Sequence, residues 1–112
     1  MATGSVIELS ASDFDAAITD PVCPILVKFF APWCAPCRAL AADFADLAEQ
    51  YADRVLFAEV NVDEEPELAE RFKIRSVPTV LMFRGGSTTP IRGLESASGE
   101  DVENWLAIIA PD

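Results

Sequence analysis

Ile25-Leu26-Val27-Lys28-Phe29-Phe30 is a run of strand-forming residues broken by a single charge. A run of this kind persists only where both faces of a strand are covered, so it demands a sheet with a layer on either side. After a Pro and Cys cluster, Leu40, Phe44, Leu47 and Tyr51 recur at helical spacing with Asp43, Asp46 and Glu49 between them. That pattern predicts an amphipathic helix from about Cys34 to Ala52, the longest in the chain. Val55–Val62 reads as a second buried strand, and Asp63 is placed to cap a helix through Phe72 in which Pro66 is tolerated in the first turn. Thr79–Phe83 and Thr88–Arg92 flank Gly85-Gly86, whose freedom at positive φ suits a tight hairpin, and Pro90 marks the second of these strands as an edge. Ser12 to Asp15 resembles a capping box opening a short helix that stops before Pro21, and Ser98 is placed to cap a final helix with Val102, Trp105, Leu106 and Ile109 inward. Strands alternating with helices, then a hairpin and a helix, predict a three-layer α/β/α sandwich around a mixed sheet, parallel and then antiparallel.

The 112 residues, 51% of them hydrophobic, suffice for one core and are read as a single domain, 1–112. A net charge of -11 argues against nucleic acid and anionic membrane surfaces as partners. The chain has no histidine, which removes Ser-His and Cys-His catalysis and every metal site that needs an imidazole. Three cysteines are one short of an all-thiolate zinc tetrahedron, so no metal centre is expected. Met1 to Ser12 carries neither a basic nor an apolar leader segment, and no apolar run approaches the roughly 20 residues that span a bilayer, which leads to an expectation of a cytoplasmic protein.

In α/β sheets, sites gather beyond the carboxyl ends of parallel strands. Trp33-Cys34-Ala35-Pro36-Cys37-Arg38 stands there, between the Ile25–Phe30 strand and the long helix. Two cysteines at this spacing share the first helical turn and can form and break a disulfide with little backbone movement. Cys34, at the helix N-terminus, meets unsatisfied N–H groups and the positive end of the macrodipole, which favour a thiolate; Cys37 lies one turn in and is shielded. Cys34 is therefore read as the nucleophile and Cys37 as the resolving thiol. Cys23, before the first of these strands, reads as a half-buried thiol behaving as a small apolar group, with regulatory oxidation as the alternative.

Phe29-Phe30-Ala31-Pro32-Trp33-Cys34-Ala35-Pro36-Cys37-Arg38, followed by Val77-Pro78-Thr79 and Gly93, resembles the thioredoxin family over about Val6 to Ile109. The resemblance implies a thioredoxin fold and disulfide reductase activity on disulfide-containing proteins. It implies no bound cofactor, electrons arriving from a thioredoxin reductase that draws on NADPH or ferredoxin, and a monomer. It also implies a cis Pro78 facing the dithiol and a shallow substrate groove lined by Trp33, Val77, Pro78 and Gly93, with Ala35 and Pro36 at the same contact surface. From the residues alone Pro78 is only a proline opening a strand.

The chain departs from the family pattern in places. Most thioredoxins carry a buried acid in the strand before the motif and a lysine on the neighbouring strand, whereas Lys28 and Glu59 stand at these positions with the charges exchanged. The exchange keeps the pair neutral. Glu59, through water, would accept the proton of the resolving thiol while Lys28 favours the thiolate; a purely structural ion pair is the competing reading. Ala35 replaces the usual glycine and stiffens the turn. Two further readings stay open on the same scaffold: an oxidase or isomerase, and a binding subunit whose thiols are idle.

Overall fold

The computed structural model describes residues 6–19 and 23–110. Its elements are β1 (Val6–Glu8), α1 (Phe14–Ile18), β2 (Ile25–Phe30), α2 (Ala35–Gln50), β3 (Leu56–Asn61), α3 (Pro66–Arg71), β4 (Thr79–Phe83), β5 (Arg92–Glu95) and α4 (Gly99–Ile109). The strands form one sheet in the order β1-β3-β2-β4-β5. β1 and β2 run parallel to β3, while β4 runs antiparallel to β2 and to β5. The apolar run that demanded cover on both faces is thus the central strand of a mixed sheet, as its composition required.

Alternation along β2 divides the core. Leu26 joins Phe57, Val80 and Met82 under α2 and α4, where Leu40, Phe44, Leu47, Val102, Trp105 and Leu106 are buried. Ile25, Val27 and Phe29 face the other way, toward Phe14 and Ile18 of α1 and Leu68 of α3. Lys28 has the parity of Leu26 and is carried into the α2 layer, with only 3% of its surface exposed.

Several local expectations are corrected by the hydrogen bonding. β1 escapes the periodicity reading because three residues carry no alternation, yet it completes the parallel edge through Val6↔Phe57 and Glu8↔Glu59. β5 begins at Arg92, later than predicted: Pro90 has no N–H, and only Ile91, donating to the Met82 carbonyl at 2.8 Å, precedes the paired residues. Gly85 and Gly86 do adopt positive φ, 70° and 77°, but the turn they make opens a loop that lasts to Ile91. Asp13, not Ser12, flanks the start of α1, and its carboxylate accepts from the Ser10 N–H at 2.7 Å. The predicted stop before Pro21 lies outside the described residues. Glu65, not Asp63, precedes α3, which starts at Pro66. The final helix does open with a capping box, Ser98 and Asp101 bonding each other's backbone N–H at 3.1 and 3.0 Å.

Candidate active site

β2 ends at Phe30, and Ala31 to Trp33 turn the chain into α2. The Cys34 N–H donates to the Ala31 carbonyl at 3.2 Å, and the Arg38 guanidinium reaches back to the Pro32 carbonyl at 2.8 Å, pinning the turn. Cys34 is the N-cap of α2, in extended conformation, with Pro36 in the first helical turn where its missing N–H is harmless. Its sulfur accepts the Cys37 N–H at 3.1 Å. One of the orphan donors at the helix start is therefore aimed at the Cys34 sulfur, an arrangement that favours a thiolate there. The Cys34 thiol also donates to the Val77 carbonyl at 3.6 Å, a contact that tethers the reduced sulfur to the chain just before Pro78. The Val77–Pro78 peptide is cis.

Both active-site cysteines are free thiols and nearly covered, 5% and 3% exposed. Burial pushes the Cys37 thiol up to about 11, reinforced by its hydrogen bond with the Cys34 sulfur; the Ala31 backbone and the Lys28 charge act the other way. The two sulfurs are thus unequal: one sits at a helix mouth with a donor aimed at it, the other is held neutral behind it.

Behind Cys37 lies a recess of about 190 Å³ that Lys28, Phe30, Ala31, Arg38 and Glu59 help to line. Lys28 and Glu59 stand directly across from each other in the β2–β3 register, and their charges meet at 3.3 Å. The ammonium also lies over the rings of Phe44 and Phe30, at 5.0 and 5.4 Å from their centroids. The side chains are 4% and 28% exposed, so the lysine is the dry partner and the glutamate borders the recess.

In front, Trp33 is 69% exposed and its indole N–H donates to the Asp63 carboxylate at 3.1 Å. Asp63 is itself seated by its own N–H, which donates to the Asn61 side-chain oxygen at 2.9 Å. The carboxylate expected to cap α3 orients the tryptophan instead. An apolar recess of about 310 Å³ opens beside Trp33, with Val62, Ile74 and Val77 in its wall and Arg75 among its lining residues. Ala35 and Pro36 are exposed on the first turn of α2. Gly93 is placed differently: it pairs with Leu81, and a Cβ there would lie 3.0 Å from the Leu81 side chain. The β4–β5 register puts Glu95 opposite Thr79, and the Ala97 N–H donates to the Pro78 carbonyl at 3.2 Å. The residues beside Pro78 are therefore Glu95 to Ala97, with Ser96 at a φ of 52°. Arg75 and Glu95 were missed by the sequence reading, and Asp63 was read as a helix cap. The one available signal was the basic segment Arg71 to Arg75 in an otherwise acidic chain.

The thioredoxin profile matches residues 5–107. The chain belongs to the thioredoxin family. It is 40% identical over 79 residues to thioredoxin 1 of Nostoc sp., an alignment covering 70% of this chain and 74% of that one. With the chloroplastic thioredoxin M5 of Oryza sativa it shares 40% identity over 104 residues, 93% of this chain but 58% of the relative, so it spans little more than half of that protein. The crystal structure of the Malassezia sympodialis thioredoxin superposes with a TM-score of 0.84 at 26% identity, covering 97% of this chain and 94% of the other. The fold is the thioredoxin fold, and membership makes the chain a thiol–disulfide oxidoreductase of the protein-disulfide reductase kind.

Proposed function

We propose that Cys34 and Cys37 reduce disulfides in protein substrates, with Cys34 as the attacking sulfur. The observation that carries this reading is the position of Cys34 as N-cap of α2, its sulfur accepting the Cys37 N–H at 3.1 Å in front of Val77-Pro78. The Cys34 thiolate attacks one sulfur of the substrate disulfide. A Cys34–substrate disulfide forms, and the other substrate sulfur leaves as a thiolate that takes up a proton. Cys37 then loses its proton and attacks the Cys34 sulfur, which forms the Cys34–Cys37 disulfide and releases the second substrate thiol. Two electrons pass from the dithiol to the substrate.

The second step needs a proton acceptor. With burial pushing its thiol up to about 11 in the dithiol form, Cys37 is protonated at pH 7. Once Cys34 is tied up in the mixed disulfide its own charge is gone, and burial remains the main obstacle. Glu59 supplies the acceptor through water in the shared recess, whose volume exceeds that of a water molecule. Lys28 holds the carboxylate in place and favours the charged sulfur. Trp33, Val77 and Pro78 contact the substrate segment, with Ala35 and Pro36 at the rim. Oxidised protein is recharged by a thioredoxin reductase using NADPH or ferredoxin, and the protein works as a monomer in the cytoplasm, where the glutathione and thioredoxin systems keep thiols reduced.

Insulin reduction by dithiothreitol-recycled protein tests the assignment. Wild type turns over and Cys34→Ser is at background; Cys37→Ser, mixed with insulin without dithiothreitol, accumulates protein linked to substrate through Cys34, visible as an intact-mass shift. Linkage through Cys37 in the Cys34→Ser variant, with none in Cys37→Ser, would overturn it.

A further inference from the structure

The surface in front of Cys34 carries a charge pattern that the dithiol chemistry does not use. Three of the eight basic residues in this acidic chain fall in Arg71-Phe72-Lys73-Ile74-Arg75. Arg71 is committed to Asp15 at 2.8 Å. Arg75 lines the apolar recess beside Trp33, and Lys73 lines a second recess, of about 440 Å³, that reaches Gly93 and Glu95. Ile74 belongs to both, so the two recesses adjoin along its side chain.

The partner of Arg75 is Glu95, but the pair is loose: its closest approach is 3.8 Å, and the side chains are 84% and 62% exposed. Exposed pairs of this kind contribute about 0–1 kcal/mol, so a carboxylate on an incoming segment displaces Glu95 at little cost. A guanidinium presents paired N–H groups that match a carboxylate better than a lysine ammonium does. The Trp33 side of the same recess carries the opposite sign, because the Asp63 carboxylate holds the indole. An acidic residue is therefore welcome on the Arg75 side and repelled on the Trp33 side. At physiological salt the screening length is about 8 Å, so these nearby charges outweigh the distant acids that make the chain negative overall.

We infer that Arg75 is a specificity-determining residue that selects substrate segments presenting an apolar side chain to the recess beside Trp33 and an aspartate or glutamate to the Arg75 side. This rests on the reading of Cys34 and Cys37 as a protein-disulfide reductase. Glu95 acts as the resident carboxylate that a matching substrate replaces.

The test uses disulfide-bonded peptides identical except for one residue near the reactive cysteine, glutamate, glutamine or lysine, scanned over the three positions on either side. Rate constants for reduction are measured with wild type, Arg75→Gln, Arg75→Glu and Glu95→Gln. At the position that reaches Arg75, wild type reduces the glutamate peptide faster than the lysine peptide, and Arg75→Glu reverses the order. The ratio shifts about tenfold, as expected for local charge complementarity. Glu95→Gln enlarges the wild-type preference, and raising the salt to about 1 M, where screening acts over about 3 Å, erases it. A glutamate-to-lysine ratio equal in wild type and Arg75→Glu at every position, with the glutamine peptide reduced normally, overturns this inference and leaves the reductase reading intact. Failure of wild type to reduce the glutamine peptide at any position overturns both.

Discussion

Two acid–base pairs flank the dithiol, one behind Cys37 and one in front of Cys34, and they differ in almost every physical respect. Lys28 and Glu59 are held in register by adjacent strands, 3.3 Å apart, with the lysine 4% exposed. Arg75 and Glu95 come from a loop and an edge strand, 3.8 Å apart and mostly in water. In the first pair the lysine needs the glutamate, because an ammonium in an apolar layer is poorly solvated, while the glutamate borders the recess. In the second, each has water as an alternative and neither contributes much to stability. The rear pair is suited to holding and moving a proton, the front pair to exchanging partners with a substrate. The two functions can therefore be damaged separately.

The largest effect belongs to the atoms between the pairs. Cys34→Ser takes disulfide reduction to background, measured as insulin precipitation, while leaving the urea midpoint close to that of the reduced wild-type protein, because serine is itself a favoured N-cap residue. Next comes the rear pair, where the cost is asymmetric. Glu59→Gln strands the Lys28 ammonium and lowers unfolding stability by about 3 kcal/mol. Lys28→Met costs less, about 1 kcal/mol, because Glu59 is 28% exposed and water can solvate it. The double variant Lys28→Met/Glu59→Leu, which leaves no stranded charge, recovers most of the loss in urea unfolding. Equal costs for the two single variants would contradict the burial argument.

The buried thiol gives a third effect. Its folded value, about 11, lies above the unfolded value of 9.0, so the fold favours the neutral form. That contribution is fully present below about pH 9 and is lost as the pH rises through 11, a fall of about 2–3 kcal/mol. Denaturation of the dithiol form across this window shows the fall, and Cys37→Ala lacks it. The smallest effect is at the front: Glu95→Gln moves stability by no more than about 0.5 kcal/mol. A loss above 1 kcal/mol would mean that the Arg75–Glu95 pair is structural and not exchangeable.

The rear of the site was partly legible in the sequence. Lys28 interrupts an apolar strand and Glu59 the next, but it was the family resemblance that named the two as partners; the β2–β3 register then places them side by side on one face of the sheet. The dithiol was legible because a strand followed by a helix fixes where its N-terminus lies. The front was not. Whether Gly93 or Glu95 stands opposite Thr79 depends on how many residues the loop after Gly85-Gly86 consumes, and Pro90 delays pairing until Arg92. Asp63 looked like a helix cap because its spacing from Pro66 suits one; the exposed indole of Trp33 claims its carboxylate instead, a contact between residues 30 apart that no local pattern announces. β1 was too short to show a period and is recognisable only once β3 offers it a partner.

The separation of the two sides is tested most directly by following one turnover in two steps. Stopped-flow mixing of reduced protein with a chromogenic disulfide resolves attack by Cys34 from release by Cys37, across pH 6 to 11. Glu59→Gln and Lys28→Met/Glu59→Leu are expected to keep the attack rate within about twofold of wild type but to slow release at least tenfold at pH 7, with release recovering as the pH rises. Release unchanged in both variants, or attack and release slowed equally, would contradict it and return Lys28 and Glu59 to a purely structural role.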